Sequence, residues 1–358
     1  MSEKPKRILH IVGTMNLGGQ ETFIMNLYRK IDRSKIQFDF VVHSKEKQFY
    51  EEEIKQLGGR IYKIDSMSKN LFCHMKTLYH ILKDNRYAII HRHTNSSIIW
   101  FDLLVAKMAK VQKIIVHSHS SSSKSRIIHK ICRSIMNLFI DIRLACSKEA
   151  GEWLFGKKKF EVIPNGIDLK KYRFNEKKRE ELRKQMRIEG QFVIGHIGRF
   201  SSEKNQDFLI DILKRIKNKK KNVVLIFVGD GEEREKIQKK AIEYEVNNEV
   251  KFLGNRKNVF ELLNIFDVFA FPSIYEGLPL TLLEVQANGL NAIISSQISN
   301  EVILTDLVEK LPLNNIEEWI DSILKKKRKE NLEKYNQIML QSRFNIDDVI
   351  KKMERVYE

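Results

Sequence analysis

Along the chain, short apolar runs alternate with longer segments in which apolar residues recur every three or four positions. The runs read as strands and the longer segments as helices: a strand buried on both faces is apolar throughout, whereas a helix buries only a stripe. In the first half, strands are expected at Ile8–Val12, Phe38–Val42, Ile61–Ile64, Ala88–His91, Lys113–His117 and Ile142–Cys146, with helices such as Glu21–Lys30 and Phe49–Gln56 between them. Pro, Asn and Gly then interrupt regular structure in Phe160-Glu-Val-Ile-Pro-Asn-Gly-Ile-Asp168, and the charged stretch Asn175–Lys184 reads as a helix. A second alternation runs through Phe192–Gly198, Val223–Val228, Val250–Leu253, Val268–Phe271 and Ala292–Ser295, and a last amphipathic helix begins beyond about Phe344. The predicted fold class is α/β, with two Rossmann-like doubly wound parallel-sheet domains, 1–166 and 167–343, followed by the helix 344–358. Such sheets take ligands at the carboxyl ends of their strands, so a cleft between two of them is the expected binding place.

At 358 residues the chain exceeds the roughly 250–300 at which a single core stops growing, which agrees with two domains. Its 42% hydrophobic and 31% charged residues are ordinary for a globular protein. Cys73, Cys132 and Cys146 are odd in number and lack metal or redox spacing, which favours reduced thiols and a cytoplasmic location. No apolar run is long enough to cross a bilayer, and the start of the chain lacks the pattern of a signal peptide.

The net charge of +18 suits a polyphosphate ligand, an anionic membrane surface or nucleic acid. Most of it is diffuse lysine. One segment differs: a serine loop from Ser120 leads into a helical pattern with Ile127, Ile131, Ile135 and Leu138 on one stripe and Lys124, Arg126, Lys130 and Arg133 among them. It reads either as an interfacial helix in peripheral contact with an anionic membrane or as a core-packed amphipathic helix.

Candidate chemistry concentrates at predicted strand ends. Glu276-Gly-Leu-Pro-Leu-Thr-Leu-Leu-Glu284 follows a buried strand and opens a helix, which makes an anion site of free backbone N–H groups with one carboxylate before the helix and a second two turns inside it. Arg199 and Lys204 follow the strand Phe192–Ile197, a forked guanidinium and a point ammonium suited to a diphosphate. Gly18 and Gly19 follow the first strand and let backbone approach a ligand, without forming the dinucleotide fingerprint. The turn Gly229-Asp-Gly231 reads as turn chemistry. His91-Arg-His93 and His117-Ser-His119 each place two imidazoles on one side of a strand end, since residues i and i+2 point the same way. No Asp or Glu adjoins either pair. The expectation is no metal, and a single histidine facing a sugar.

Together these residues resemble glycosyltransferase family 4, retaining enzymes of the GT-B fold, over nearly the whole chain. The likeness rests on Gly18-Gly19-Gln-Glu21, Val162-Ile-Pro-Asn-Gly-Ile-Asp168, Gly198-Arg199 with Lys204, and Glu276-Gly-Leu-Pro with Glu284, in the family's order. Within the family the chain is most similar to enzymes of capsular or exopolysaccharide assembly. The resemblance implies that Arg199 and Lys204 hold the donor diphosphate, with help from backbone at Gly18, Gly19, Gly277, Leu278 and Leu280. It gives Glu284 the ribose, Glu276 the donor hexose, and Leu253 and Asn255 the neighbourhood of the base. His119 would approach the anomeric carbon, with His117 as the competing assignment. The final helix would cross back to the first domain. The co-substrate would be a nucleotide-diphosphate sugar, with UDP favoured, and the acceptor a lipid-linked or polysaccharide glycan, with no metal and no other cofactor. Many relatives carry a glycine pair before a Glu after the strand Ile293–Ser296; here the segment is short, and Glu301 is the candidate for that Glu.

Two other functions share parts of this pattern. A sugar-nucleotide epimerase or phosphorylase would use the same fold without the same acceptor. A basic nucleic-acid-binding protein would use the charge, but no recognition motif or aromatic–basic interleaving supports it.

Overall fold

The computed structural model describes residues 4–120, 126–219, 222–276, 278–329 and 332–358, with Arg126 described by its backbone alone. The chain forms two compact units, Met1–Ile167 with Ile346–Glu358, and Asp168–Asn345.

The first unit is built on seven strands: β1 Lys6–Val12, β2 Ile36–Val42, β3 Ile61–Lys63, β4 Ile89–Thr94, β5 Lys113–Ser118, β6 Ile142–Ala145 and β7 Glu161–Val162. They lie in the order β3-β2-β1-β4-β5-β6-β7, and every neighbouring pair is parallel. Alternate residues of β1 serve two cores. Ile8 and Val12 pack with Phe23, Phe38, Phe40 and Tyr357 on one face, and Leu9 and Ile11 with Leu78, Leu103 and Ile114 on the other. Both faces are therefore buried, which is why the strands read as continuous apolar runs. The helix Ile346–Tyr357 belongs to this unit and packs on the first of these faces, with Ile346, Val349, Met353 and Tyr357 buried.

The second unit carries β8 Phe192–Ile197, β9 Val223–Val228, β10 Val250–Phe252, β11 Val268–Phe271, β12 Ala292–Ser295 and β13 Val308–Leu311, in the order β10-β9-β8-β11-β12-β13, again all parallel. Its core joins Phe227, Leu225, Ile210, Leu213 and Trp319. In both sheets the strand order reverses once, between β1 and β4 and between β8 and β11. Ligands of doubly wound sheets bind outside the carboxyl ends of strands at such a point.

Several boundaries depart from the sequence expectation. The first helix starts at Gly19, not at Glu21, because Gly18 takes the extended cap conformation and its carbonyl accepts from Thr22 N at 2.9 Å. The helix expected at Phe49–Gln56 begins at Glu51. Strand β4 runs on to Thr94, so both of its histidines lie inside the sheet. Strands β7 and β13 were not expected; β7 is only two residues long, and β13 carries Glu309 and Lys310 at its centre, so neither shows an apolar run.

Candidate functional site

In the second unit, the loops that follow β8 and β11 meet at the sheet's switch point. Lys204 ends a short turn, Ser202–Lys204, and folds back over the start of its own loop: a Cβ on Gly198 would lie 3.7 Å from Lys204 Cδ and Cε. Its Nζ donates to Glu276 Oε1 and stands 5.2 Å from the centre of the Phe271 ring. Two hydrogen bonds fasten the loops to each other, Ile274 N to Glu203 O at 2.8 Å and Asn205 Nδ2 to Pro272 O at 3.3 Å. Asn205 is left-handed, with φ of 53°, which turns the chain sharply after Lys204.

Arg199 stands on the same edge but is not joined to Lys204 or Glu276. Its guanidinium, 72% exposed, donates from Nη2 to Glu232 Oε2 at 2.9 Å. Gln206 Nε2 fixes the Arg199 backbone by donating to its carbonyl at 2.7 Å. The side chain is thus an exposed cation on an anchored backbone.

Glu284 lies within the helix Leu280–Ala287, 8% exposed, and accepts from Tyr172 Oη at 2.8 Å. Burial pushes its carboxyl up to about 7, against the opposing pull of Tyr172 and Lys171. Leu278 is half-buried and Leu280 is buried in the first turn of that helix, whose N-terminus has no side-chain cap; Gly277 lies outside the described residues. At the end of β10, Leu253 N donates to Phe227 O at 2.9 Å, and Gly254 O accepts from Gly229 N at 2.9 Å. Gly229 has φ of 134°, and a Cβ there would come within 2.0 Å of Gly198 O, so only glycine fits between the β8 and β9 loops. Asn255 is exposed beside this edge. Glu301 is paired with Arg343.

In the first unit, Gly18 and Gly19 open the helix Gly19–Lys30, and the Glu21 carboxylate folds onto Gly18: a Cβ there would meet Glu21 Oε2 at 2.3 Å, whereas one on Gly19 would meet nothing within 4 Å. The two His-x-His pairs come together. Register sets His10 of β1 beside His91 of β4, and His93 of β4 beside His117 of β5. All point to the face covered by Phe23 and Tyr357. Two hydrogen bonds link three rings in a chain, His10 Nδ1 to His93 Nε2 at 2.9 Å and His93 Nδ1 to His119 Nε2 at 2.8 Å, and His91 Nδ1 meets Tyr357 Oη at 2.8 Å. Burial depresses protonation throughout, to about 3 at His10 and His119 and well below the ordinary value at His91, His93 and His117. His117 is wholly buried beside His119, so both remain near the strand end.

A separate buried network lies on the other side of the sheet. Asp102 accepts from His74 Nε2 at 2.7 Å and from Arg92 Nε at 2.8 Å. The helix Arg126–Asn137 is split by face. His129 and Met136 are buried, and the His129 ring stacks on Trp153 at 4.5 Å. Ile127, Ile131, Ile135 and Leu138 face out, at 76, 66, 40 and 80% exposure, so this stripe is not core-packed. Lys124 lies outside the described residues; Lys130 is exposed.

Sequence reasoning missed Tyr172, the partner of Glu284, and His10. His10 had a signal, as the one polar residue in the run Ile8–Val12. Tyr172 had none.

These features define a class: doubly wound α/β proteins that gather charge at the carboxyl ends of their strands. The comparisons narrow it. Residues 178–340 match the family described as glycosyl transferases group 1, and residues 17–171 match Glycosyltransferase Family 4. The chain is 35% identical over 339 residues to the putative glycosyltransferase EpsF of Bacillus subtilis (strain 168), covering 90% of this chain and 88% of that protein. It is 28% identical over 269 residues to the UDP-Gal:alpha-D-GlcNAc-diphosphoundecaprenol alpha-1,3-galactosyltransferase of Escherichia coli, covering 70% and 68%. The crystal structure of Anabaena Alr3699/HepE in complex with UDP-glucose superposes with a TM-score of 0.79 at 19% identity, covering 98% of each chain. The chain belongs to glycosyltransferase family 4, and its two Rossmann-like units are those of the GT-B fold.

Proposed function

We propose that the protein transfers a hexose or N-acetylhexosamine from a UDP-sugar to a lipid-linked or polysaccharide acceptor in cell-surface glycan synthesis, with retention at the anomeric carbon and without a divalent metal. The observation that carries this is the pairing of Lys204 with Glu276 at the β8/β11 switch point, next to the uncapped start of the helix Leu280–Ala287. When a nucleoside diphosphate departs, negative charge grows on its bridging oxygen. Lys204 and the helix N-terminus, joined by Arg199 once it leaves Glu232, are the cations and amides that would stabilise it. Glu276, freed from Lys204 by the phosphate, accepts from donor-sugar hydroxyls. Glu284 accepts from the ribose hydroxyls, and Leu253 and Asn255 border the base. Gly18, Gly19 and His119 carry the donor assignment on the N-terminal side. The acceptor hydroxyl attacks on the face the diphosphate leaves: its bond to the anomeric carbon forms as the bond to the diphosphate oxygen breaks, its proton passes to that departing oxygen, and no covalent enzyme intermediate forms.

The E. coli relative's lipid-linked substrate supports an acceptor held at a membrane. The helix Arg126–Asn137 supports peripheral contact, because its exposed isoleucines share a helix with Lys130 and Arg133 and with no acidic residue. Among the described residues no helix is long and apolar enough to cross a membrane.

A transfer assay with UDP-sugars and polyprenyl-diphosphate-linked acceptors tests the reaction. Lys204→Ala and Glu284→Ala should each abolish transfer while leaving the fold intact; near-normal turnover in both defeats the proposal. Flotation with liposomes tests the membrane contact. Preferential binding to anionic vesicles is expected, and equal partitioning into neutral ones counts against it.

A further inference from the structure

We infer that His93, His117 and His119 form a binding site for a single borderline transition-metal ion of the Zn²⁺ class. The inference rests on the N-terminal unit alone and stands whichever sugar or acceptor the enzyme uses. One nitrogen from each of the three rings lies within 4.8 Å of the other two. A tetrahedral ion held at about 2.0–2.1 Å from imidazole nitrogens sets them roughly 3.3 Å apart, so small ring movements close the set.

The polar bookkeeping of the pocket points the same way. His117 is 0% exposed, and backbone of Ile163 is the one hydrogen-bond partner beside its ring, which leaves its second nitrogen unpartnered. Buried polar atoms are rarely left so, and each such case asks for a ligand or a water. The remaining ring nitrogens already have the outer partners that ligating imidazoles use. If His93 presents the lone pair of Nδ1 to the ion, its proton sits on Nε2 and is donated to His10 Nδ1, 2.9 Å away. If His119 presents Nε2, its proton sits on Nδ1. That atom is buried, and the Asn165 side chain, in a residue 5% exposed, is the hydrogen-bond partner beside the ring. The proton now shared between His93 and His119 moves to an outer nitrogen, and no net charge need be buried except the ion's own.

Neutral imidazoles are the form that binds metal. With no carboxylate among the three, the set suits Zn²⁺, Co²⁺, Ni²⁺ or Cu²⁺ and not Mg²⁺ or Ca²⁺. His119 is half-buried, the least enclosed of the three. Two neighbouring sets are poorer. His10, His91 and His93 are fully enclosed, and His91 is engaged by Tyr357. His43, His74 and Asp102 share their carboxylate with the Arg92 guanidinium, a cation already in place.

If His119 serves the sugar as proposed above, an ion here holds that ring and slows transfer, so Zn²⁺ should inhibit and a chelator should restore activity. The binding test does not depend on that. Untagged, chelator-stripped protein is titrated with Co²⁺, and the visible absorption of four-coordinate cobalt is followed alongside the circular dichroism. The expected result is one Co²⁺ per chain with an intense visible band. His117→Gln should weaken binding at least tenfold, and His196→Gln, at a buried histidine of the other sheet, should bind as the wild type does. Should His117→Gln fail to fold, His119→Gln replaces it with the same expectation. No band at stoichiometric Co²⁺, or a folded ligand variant that binds as tightly as the wild type, overturns the inference.

Discussion

Lys204 Nζ and the Glu276 carboxylate form an ion pair across the two loops of the C-terminal switch point, with side chains only 21% and 11% exposed. A carboxylate held on that lysine occupies the partner position that a donor phosphate would take. On the proposed function, phosphate entry displaces it, and the displaced carboxylate is then free to meet sugar hydroxyls. Glu276→Gln removes the internal competitor but also the charged acceptor. UDP should therefore bind as well or better, measured by calorimetry, while kcat/KM for transfer falls about 10- to 100-fold, the scale of one charge-assisted hydrogen bond. Weaker UDP binding with unchanged transfer contradicts these roles.

Glu284 has a carboxyl raised to about 7 by burial. The folded protein then holds a proton that the unfolded chain releases near 4.5. Its contribution to stability is complete below that value and is lost as pH rises through about 7, a difference of roughly 3 kcal/mol at most. Glu284→Gln should flatten this part of the stability–pH curve, followed by denaturant unfolding between pH 5 and 8. Ribose hydroxyls favour the ionised form, so UDP binding near pH 6.5 should release a proton, seen as a buffer-dependent binding enthalpy. Proton uptake on binding, or no difference between buffers, would contradict the ribose assignment.

The histidine cluster gives the opposite pH dependence. His10, His91, His93, His117 and His119 are all held below their ordinary value, to about 3 at His10 and His119. In the unfolded chain they protonate near 6.5. Their stabilising contribution is complete above 6.5 and is lost as pH falls toward 3, at up to about 1.4 kcal/mol per pH unit for each proton bound. Unfolding below pH 6 should be steep, and His10→Phe, which keeps the ring packed on Phe38, should make it shallower. An unchanged slope counts against this origin.

Asp102 is buried between Arg92 and His74. Burial opposes its charge, but these partners hold its carboxyl below the ordinary value. Asp102→Asn leaves the Arg92 guanidinium buried without a counter-ion and should cost about 3–5 kcal/mol of the first unit's stability. Chemical denaturation measures it, and a loss below about 1 kcal/mol contradicts the pairing.

Most of the fold was legible because strands buried on both faces leave continuous apolar runs, as in Phe38–Val42 and Val223–Val228. Edge strands such as β13, with Glu309 and Lys310 half-buried, leave no such run. Glu276, Lys204 and Glu284 announced themselves through the strand, turn and helix around them. Their partners did not. Tyr172 meets Glu284 from 112 positions away through helix packing, and His10 meets His93 from 83 through sheet order, neither of which local pattern determines. The stripe of the helix Arg126–Asn137 left inward and outward packing open, because periodicity fixes which residues share a face and not what covers it.

The central claim is that the pyrophosphate of a nucleotide-sugar is held at the β8/β11 switch point. A crystal structure of the full chain with UDP measures this most directly. Diphosphate oxygens are expected within hydrogen-bonding distance of Lys204 Nζ and the Arg199 guanidinium, with Glu276 released from Lys204. UDP bound at any other place, with the Lys204–Glu276 pair intact, would contradict it.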